Sequence, residues 1–151
     1  MLLVKHRFAV TTAGCAAMLA AVVGCSSEES GSAGGSQSGE AKVTFGSNDA
    51  GPVTSVGCET KDGFTTINIE GSLHTTVIVT DGEAPAVESV SIGEVGTDKP
   101  SLAYIEGLSS QPVVASRDAK SYTITGTGAG TDAANPGTPV DMPFDIAVTC
   151  P

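Results

Sequence analysis

The chain has 151 residues, with 17 acidic against 7 basic side chains, a formal net charge of −10, no tryptophan, four phenylalanines and two tyrosines. That balance repels nucleic acid and anionic lipid headgroups, which excludes a phosphate-reading surface and a membrane attachment of electrostatic origin. The length holds one modest domain.

Lys5, His6 and Arg7 precede an apolar run from Phe8 to Val23 that only Thr11 and Thr12 interrupt. This is the charged and hydrophobic pattern of a secretory signal. The run is too short and too rich in Ala and Gly for a membrane span, which needs about 20 strongly apolar residues. It ends in Val22-Val23-Gly24-Cys25. That order resembles the bacterial lipobox: a branched aliphatic residue, two small or aliphatic ones, then cysteine. In that class the cysteine thiol takes up diacylglycerol, the signal is cut just before it, and the new amino group is acylated. Residues 1–24 are therefore expected to be the signal peptide, with cleavage between Gly24 and Cys25 and lipidation of Cys25. At about 0.8 kcal/mol per buried methylene, one acyl chain holds marginally and two or three hold stably. The rival reading is a signal-region thiol or an uncleaved helical anchor. Cys15 provides a contrast, because Thr12-Ala13-Gly14 before it lacks the branched aliphatic residue. Processing leaves 127 residues and, with Lys5 and Arg7 gone, a net charge of about −12.

Residues 25–41 read as the lipidated cysteine followed by a flexible linker, "SSEESGSAGGSQSGEA" from Ser26 to Ala41, in which no large apolar residue occurs. Such a composition cannot bury a core and serves as a tether. Its serines are candidate positions for O-linked sugar. Asn48, Asn68 and Asn135 all lack the N-glycosylation sequon.

From residue 42 to 151 the hydrophobic pattern has period two. Val43 and Phe45 alternate with polar neighbours, as do Val56 and Cys58, then Thr65, Ile67 and Ile69, then Leu73, Thr75, Val77 and Val79. Val90 and Ile92, Leu102 to Ile105, Val113 and Val114, Tyr122 and Ile124, and Phe144, Ile146, Val148 and Cys150 continue the series. Residues of these types in alternation suit half-buried strands. Turn chemistry separates them at Asn48-Asp49 with Gly51-Pro52, Lys61-Asp62-Gly63, Asp81-Gly82, Gly96 to Pro100, Arg117-Asp118 and Asn135-Pro136-Gly137. Asp62-Gly63 is the strongest hairpin signal. About nine short strands near ten-residue intervals predict an all-β domain, an antiparallel β-sandwich or partly closed barrel. With Phe45, Phe64, Tyr104, Tyr122 and Phe144 as the aromatics after processing, the core must rest mainly on Val, Ile, Leu, Ala and Thr methyl groups.

Once Cys15 leaves with the signal and Cys25 is assigned to lipid, Cys58 and Cys150 remain. In an oxidising compartment an even pair reads most simply as one disulfide. Cys58 shares parity with Val56, and Cys150 with Val148, so both are expected to face the interior. A metal or catalytic thiol pair is the alternative, without a Cys-x-x-Cys or a histidine cluster to support it. His74, the sole histidine after processing, falls out of phase with the apolar positions and is expected on the solvent face. Nothing resembles Gly-x-Ser-x-Gly, although a Ser-His-Asp set is a spatial property that sequence leaves open. Gly126-Thr-Gly128-Ala-Gly130 lacks the Gly-Lys-Ser/Thr ending of a phosphate loop and is read as a small-residue turn. Asp81, Glu83, Glu88, Glu94 and Asp98 lack EF-hand order and are read as a solvated face. No catalytic residue, metal site or cofactor is expected, beyond covalent diacylglycerol and N-acyl lipid on Cys25.

The lipobox, the Ser/Gly tether and three further segments together resemble the mycobacterial 19-kDa lipoprotein antigen family. The segments are "VTDGEAPAVESVSIGEV" from Val79, "SYTITGTGAGTDAANPGTPVDMPFDIAVTC" from Ser121, and "VGCE" around Cys58. The resemblance implies a triacylated lipoprotein on the outer side of the cell envelope, with Cys25 acylated and Cys58 paired with Cys150. It also implies recognition of the lipidated N-terminus by host Toll-like receptor 2, with adhesin and antigen roles in virulence. The second function it suggests is carriage of a small hydrophobic or glycolipid ligand within the β-domain.

Overall fold

The Asp62-Gly63 hairpin shows how directly local chemistry sets this fold. Lys61 pairs with Phe64 across a two-residue turn, and both turn residues have positive φ, 54° at Asp62 and 85° at Gly63. Asp and Gly tolerate that conformation, and its twist matches the strands on either side. The computed structural model describes residues 39–151. The signal segment, Cys25 and most of the linker lie outside them.

Ten strands follow in chain order: β1 (Ala41–Phe45), β2 (Asn48–Asp49), β3 (Val53–Lys61), β4 (Phe64–Gly71), β5 (Thr75–Thr80), β6 (Val87–Ile92), β7 (Ser101–Ile105), β8 (Val114–Asp118), β9 (Ser121–Thr131) and β10 (Val140–Thr149). All pair antiparallel in one sheet, ordered β2-β1-β10-β9-β7-β6-β5-β4-β3, with β8 also on β9. The sheet curls into a half-barrel, so the partly closed barrel is the form adopted. The strand beyond the expected nine is β2, two residues of a turn segment that pair with Phe45 and Thr44. The sheet also begins slightly before residue 42: Ala41 pairs with Val148, and the Glu40 carbonyl accepts a hydrogen bond from the Thr149 N–H at 2.8 Å.

The alternation places Ile67, Ile69, Val77, Val79, Ile92, Leu102, Ile124 and Ile146 on the concave side, where each is essentially sealed from solvent. Phe45, Phe144, Tyr104 and Tyr122 join them, whereas Phe64 stands 41% exposed beside the first hairpin. The core is therefore largely branched aliphatic, as a sheet-packed interior favours.

Gly126-Thr-Gly128-Ala-Gly130 is not a turn. It forms the second half of β9, paired from Gly126 to Gly130 with Phe144 to Val140 on β10. Its glycines are small because neighbours press on the inward positions. A Cβ on Gly128 would lie 2.8 Å from both the Ala103 carbonyl oxygen and Leu102 Cδ2, and one on Gly130 would lie 3.0 Å from Met142 Sδ. Glycine inside a strand marks this sort of close approach.

Strand β9 is also where the sheet is interrupted. One of its edges is filled by β10 along nearly its whole length, so β7 and β8 share the other. β7 opposes Thr131 to Ala129, and β8 opposes Thr125 to Ser121, both in the same direction. They are two halves of one strand position, separated by a loop from Glu106 to Val113. The β8–β9 turn falls at Ala119-Lys120, two residues beyond the Arg117-Asp118 position expected, with Ala119 at φ 52°.

Candidate functional site

The expected attachment site, Gly24-Cys25, lies outside the described residues. The structure shows where the chain that follows it joins the domain. β3 forms one edge of the sheet, and the β2-β1-β10 side curls round toward it, so β1 and β3 approach each other. Gly39 lies at this seam: a Cβ there would stand 2.7 Å from Val56 Cβ on β3 and 2.5 Å from the Thr149 carbonyl oxygen at the end of β10. Only a residue without a side chain passes through.

The same seam carries the disulfide. Cys58 of β3 is bonded to Cys150, just past β10, with an S–S distance of 1.99 Å and Cα atoms 5.8 Å apart. A hydrogen bond from the Cys150 N–H to the Lys120 carbonyl, at 2.9 Å, holds the second cysteine in place. Both cysteines pack against the core yet are half-buried, less enclosed than their parity suggested. The reason is position: they sit at the rim where the two edges meet. The bond takes the place of the ladder hydrogen bonds that would close a full barrel.

Two broad grooves open on the surface. One, about 590 Å³, runs along the seam past Glu40, Lys42, Val53, Thr123 and Ala147. The other, about 670 Å³, lies between the β5–β6 loop and the β8–β9 turn and is lined by Asp81, Gly82, Glu83, Arg117, Asp118 and Ala119. The inward residues Ile67, Val77, Ile92, Ile124 and Ile146 line neither groove.

Arg117 is a residue that the sequence pattern treated only as part of a turn. Its guanidinium donates to Asp81 Oδ1 at 3.1 Å and to the Ala119 carbonyl at 3.0 Å, and it stands 5.3 Å from the Tyr122 ring centroid. It ties β8 to the β5–β6 loop across the mouth of the half-barrel. A cation between a carboxylate and a ring is recognisable only in three dimensions.

His74 is exposed, as its phase predicts. Nδ1 lies 2.9 Å from Glu70 Oε1, and Nε2 lies 2.9 Å from Thr76 Oγ1. Carboxylate, imidazole and hydroxyl in line have the outline of a catalytic triad. The Thr76 hydroxyl, however, also donates to Asn68 Oδ1 at 3.1 Å, so the chain of contacts runs on to a further side chain of β4. The set lies on the open convex face of β4 and β5 and lines neither broad groove. It is a surface ladder of polar side chains. The acidic residues Asp81, Glu83, Glu88, Glu94 and Asp98 do not converge, and among the described residues no three His, Cys, Asp or Glu side chains are placed to hold a metal ion.

A small all-β domain clasped by one disulfide, preceded in the sequence by an apolar segment that stops at a cysteine and by a Ser/Gly-rich stretch, is the arrangement of a bacterial lipoprotein. The family model of the Mycobacterium 19 kDa lipoprotein antigen matches residues 34–150, and the chain belongs to that family. Lipoprotein LpqH of Mycobacterium tuberculosis strain H37Rv is 34% identical over 160 residues, covering 97% of this chain and 99% of the relative. Lipoprotein LpqH of Mycobacterium avium is 37% identical over 110 residues, 72% of this chain and 67% of the relative. A putative lipoprotein of Mycobacteroides abscessus is 34% identical over 154 residues, 96% and 98% of the two chains.

Proposed function

We propose that this chain is a noncatalytic lipoprotein, exported and held on the extracytoplasmic side of the cell envelope by lipid on Cys25. The observation that carries the reading is Val22-Val23-Gly24-Cys25 at the end of a signal-like apolar run, fifteen residues ahead of the first strand. After cleavage at Gly24-Cys25, a thioether-linked diacylglycerol and an N-acyl chain anchor the protein, while the half-barrel is displayed on its tether. In a host, the acylated N-terminus is the part that Toll-like receptor 2 recognises, and the domain acts as antigen and adhesin. Display is favoured over carriage of a hydrophobic ligand, because the concave side is filled by its own aliphatic side chains.

The test is the intact mass and detergent partitioning of the native protein beside Cys25→Ser. Native material that starts at Cys25, carries two or three acyl chains and enters the detergent phase, while the variant stays in water, supports the proposal. Unmodified, water-soluble native protein overturns it.

A further inference from the structure

The interruption between β7 and β8 puts three exposed apolar side chains on the convex wall. Ile105 ends β7 and is 51% exposed, Val114 begins β8 and is 61% exposed, and Leu108 in the intervening loop is 81% exposed. Tyr104 and Ala115, their chain neighbours, point into the core, which fixes Ile105 and Val114 on the outer side. Leu108 borders a shallow recess with Ser109, Ser110, Gln111, Thr127 and Ala129, all uncharged, and with Asp141, which pairs with Ala129 across β9 and β10. Glu106, the residue after Ile105, is a second exposed acid in the loop.

We infer that this wall rests on a lipid surface of uncharged headgroups and that Leu108 inserts into it. The inference depends on the Cys25 anchor proposed above. Fifteen residues separate Cys25 from Ala41, a reach of about 50 Å when extended at about 3.4 Å per residue. A domain of this size has a radius of gyration near 13 Å, so its side wall lies within reach of the anchoring bilayer. Tethering makes the second contact intramolecular, and a patch too weak to bind from solution is then sufficient. The charge pattern selects the surface. Asp141 in the recess and Glu106 in the adjoining loop oppose anionic headgroups, and they equally oppose an isologous contact with a second copy, which would bring like charges together.

The chain contains no tryptophan, so Leu108→Trp gives a single reporter. Full-length acylated Leu108→Trp is bound to phosphatidylcholine vesicles, with Val95→Trp as a control in the exposed β6–β7 loop. Expected are a blue-shifted Leu108→Trp emission quenched by brominated acyl chains, no such change for Val95→Trp, and weaker quenching when phosphatidylglycerol is added. Ile105→Ser with Val114→Ser should reduce the quenching, and being on the outer wall these changes leave the core intact. If the acylated chain floats with vesicles while Leu108→Trp emission stays as in water, the wall contact is refuted and the anchor stands. If the chain fails to float, the anchor reading fails. The wall contact, which rests on that anchor, falls with it. A shift that grows with protein concentration without vesicles, or that occurs equally in Val95→Trp, overturns it as well.

Discussion

Removing the seam disulfide tests most directly how the half-barrel is held. The perturbation is Cys58→Ala with Cys150→Ala, made together so that no lone thiol remains. The bond closes a loop with a sequence separation of 92. On the chain-entropy treatment, a loop of that size stabilises the fold by about 4 to 5 kcal/mol, with native strain and residual structure reducing the figure. The 113 described residues correspond to a total stability of about 6 to 17 kcal/mol at about 0.05 to 0.15 kcal/mol per residue. The bond therefore accounts for a large share. Guanidinium unfolding of the two forms should show the midpoint falling sharply and the slope rising, because the uncrosslinked chain exposes more surface when unfolded. Hydrogen exchange should quicken first in β3, which pairs with β4 alone and meets the other edge only at the seam. A loss below about 1 kcal/mol with an unchanged slope would refute this reasoning, since a cross-link of this span acts mainly on the unfolded chain.

Three substitutions probe other parts of the sheet. Gly128→Ala places a methyl group against the Ala103 carbonyl and Leu102, and thermal unfolding should show a loss of about 1 to 3 kcal/mol; an unchanged midpoint would mean that the β7–β9 contact gives way freely. Thr75 is fully buried and its hydroxyl has no hydrogen-bond partner, so Thr75→Val should raise stability by about 1 kcal/mol in urea titrations, and a loss of similar size would contradict the orphaned hydroxyl. Ala119 holds a positive φ in the β8–β9 turn, and Ala119→Gly should stabilise by about 0.5 to 1 kcal/mol, read as a higher denaturant midpoint.

Much of this architecture is legible residue by residue, because a strand's two faces follow from alternation alone. Ile67 and Ile69, Val77 and Val79, and Ile146 and Val148 declare their inward side without reference to any partner. Asp62-Gly63 declares its turn for an equally local reason. What escapes is what depends on neighbours brought together by folding. The glycines of β9 read as a turn because the Ala103 carbonyl and Met142, which require them, come from other strands. Arg117 reads as a turn residue because Asp81, 36 positions away, lies beside it only after the sheet curls. Phe64 carries the apolar signature of a core residue yet stands in solvent at a strand end. The alignment of β7 with β8 follows from both sharing one edge of β9, which no local pattern encodes. The proposed attachment site differs: the lipobox resemblance of Val22-Val23-Gly24-Cys25 is a pattern of four consecutive residues, so it is legible without any folded neighbour.

The convergence of the chain's entry and its C-terminus at one pole of the half-barrel has a mechanical meaning. Ala41 pairs with Val148, Thr149 bonds to Glu40, and the Cys58–Cys150 bond joins the same pole to the far edge of the sheet. Any pull delivered through residues 26–40 arrives at β1 and passes at once into β10, a strand flanked on both sides, and through the sulfur bridge into β3. If the opposing grip is at the other pole, the five β1–β10 residue pairs are loaded together in shear, and the load divides between both edges of the sheet instead of peeling one strand away. The domain is built to be held by one end.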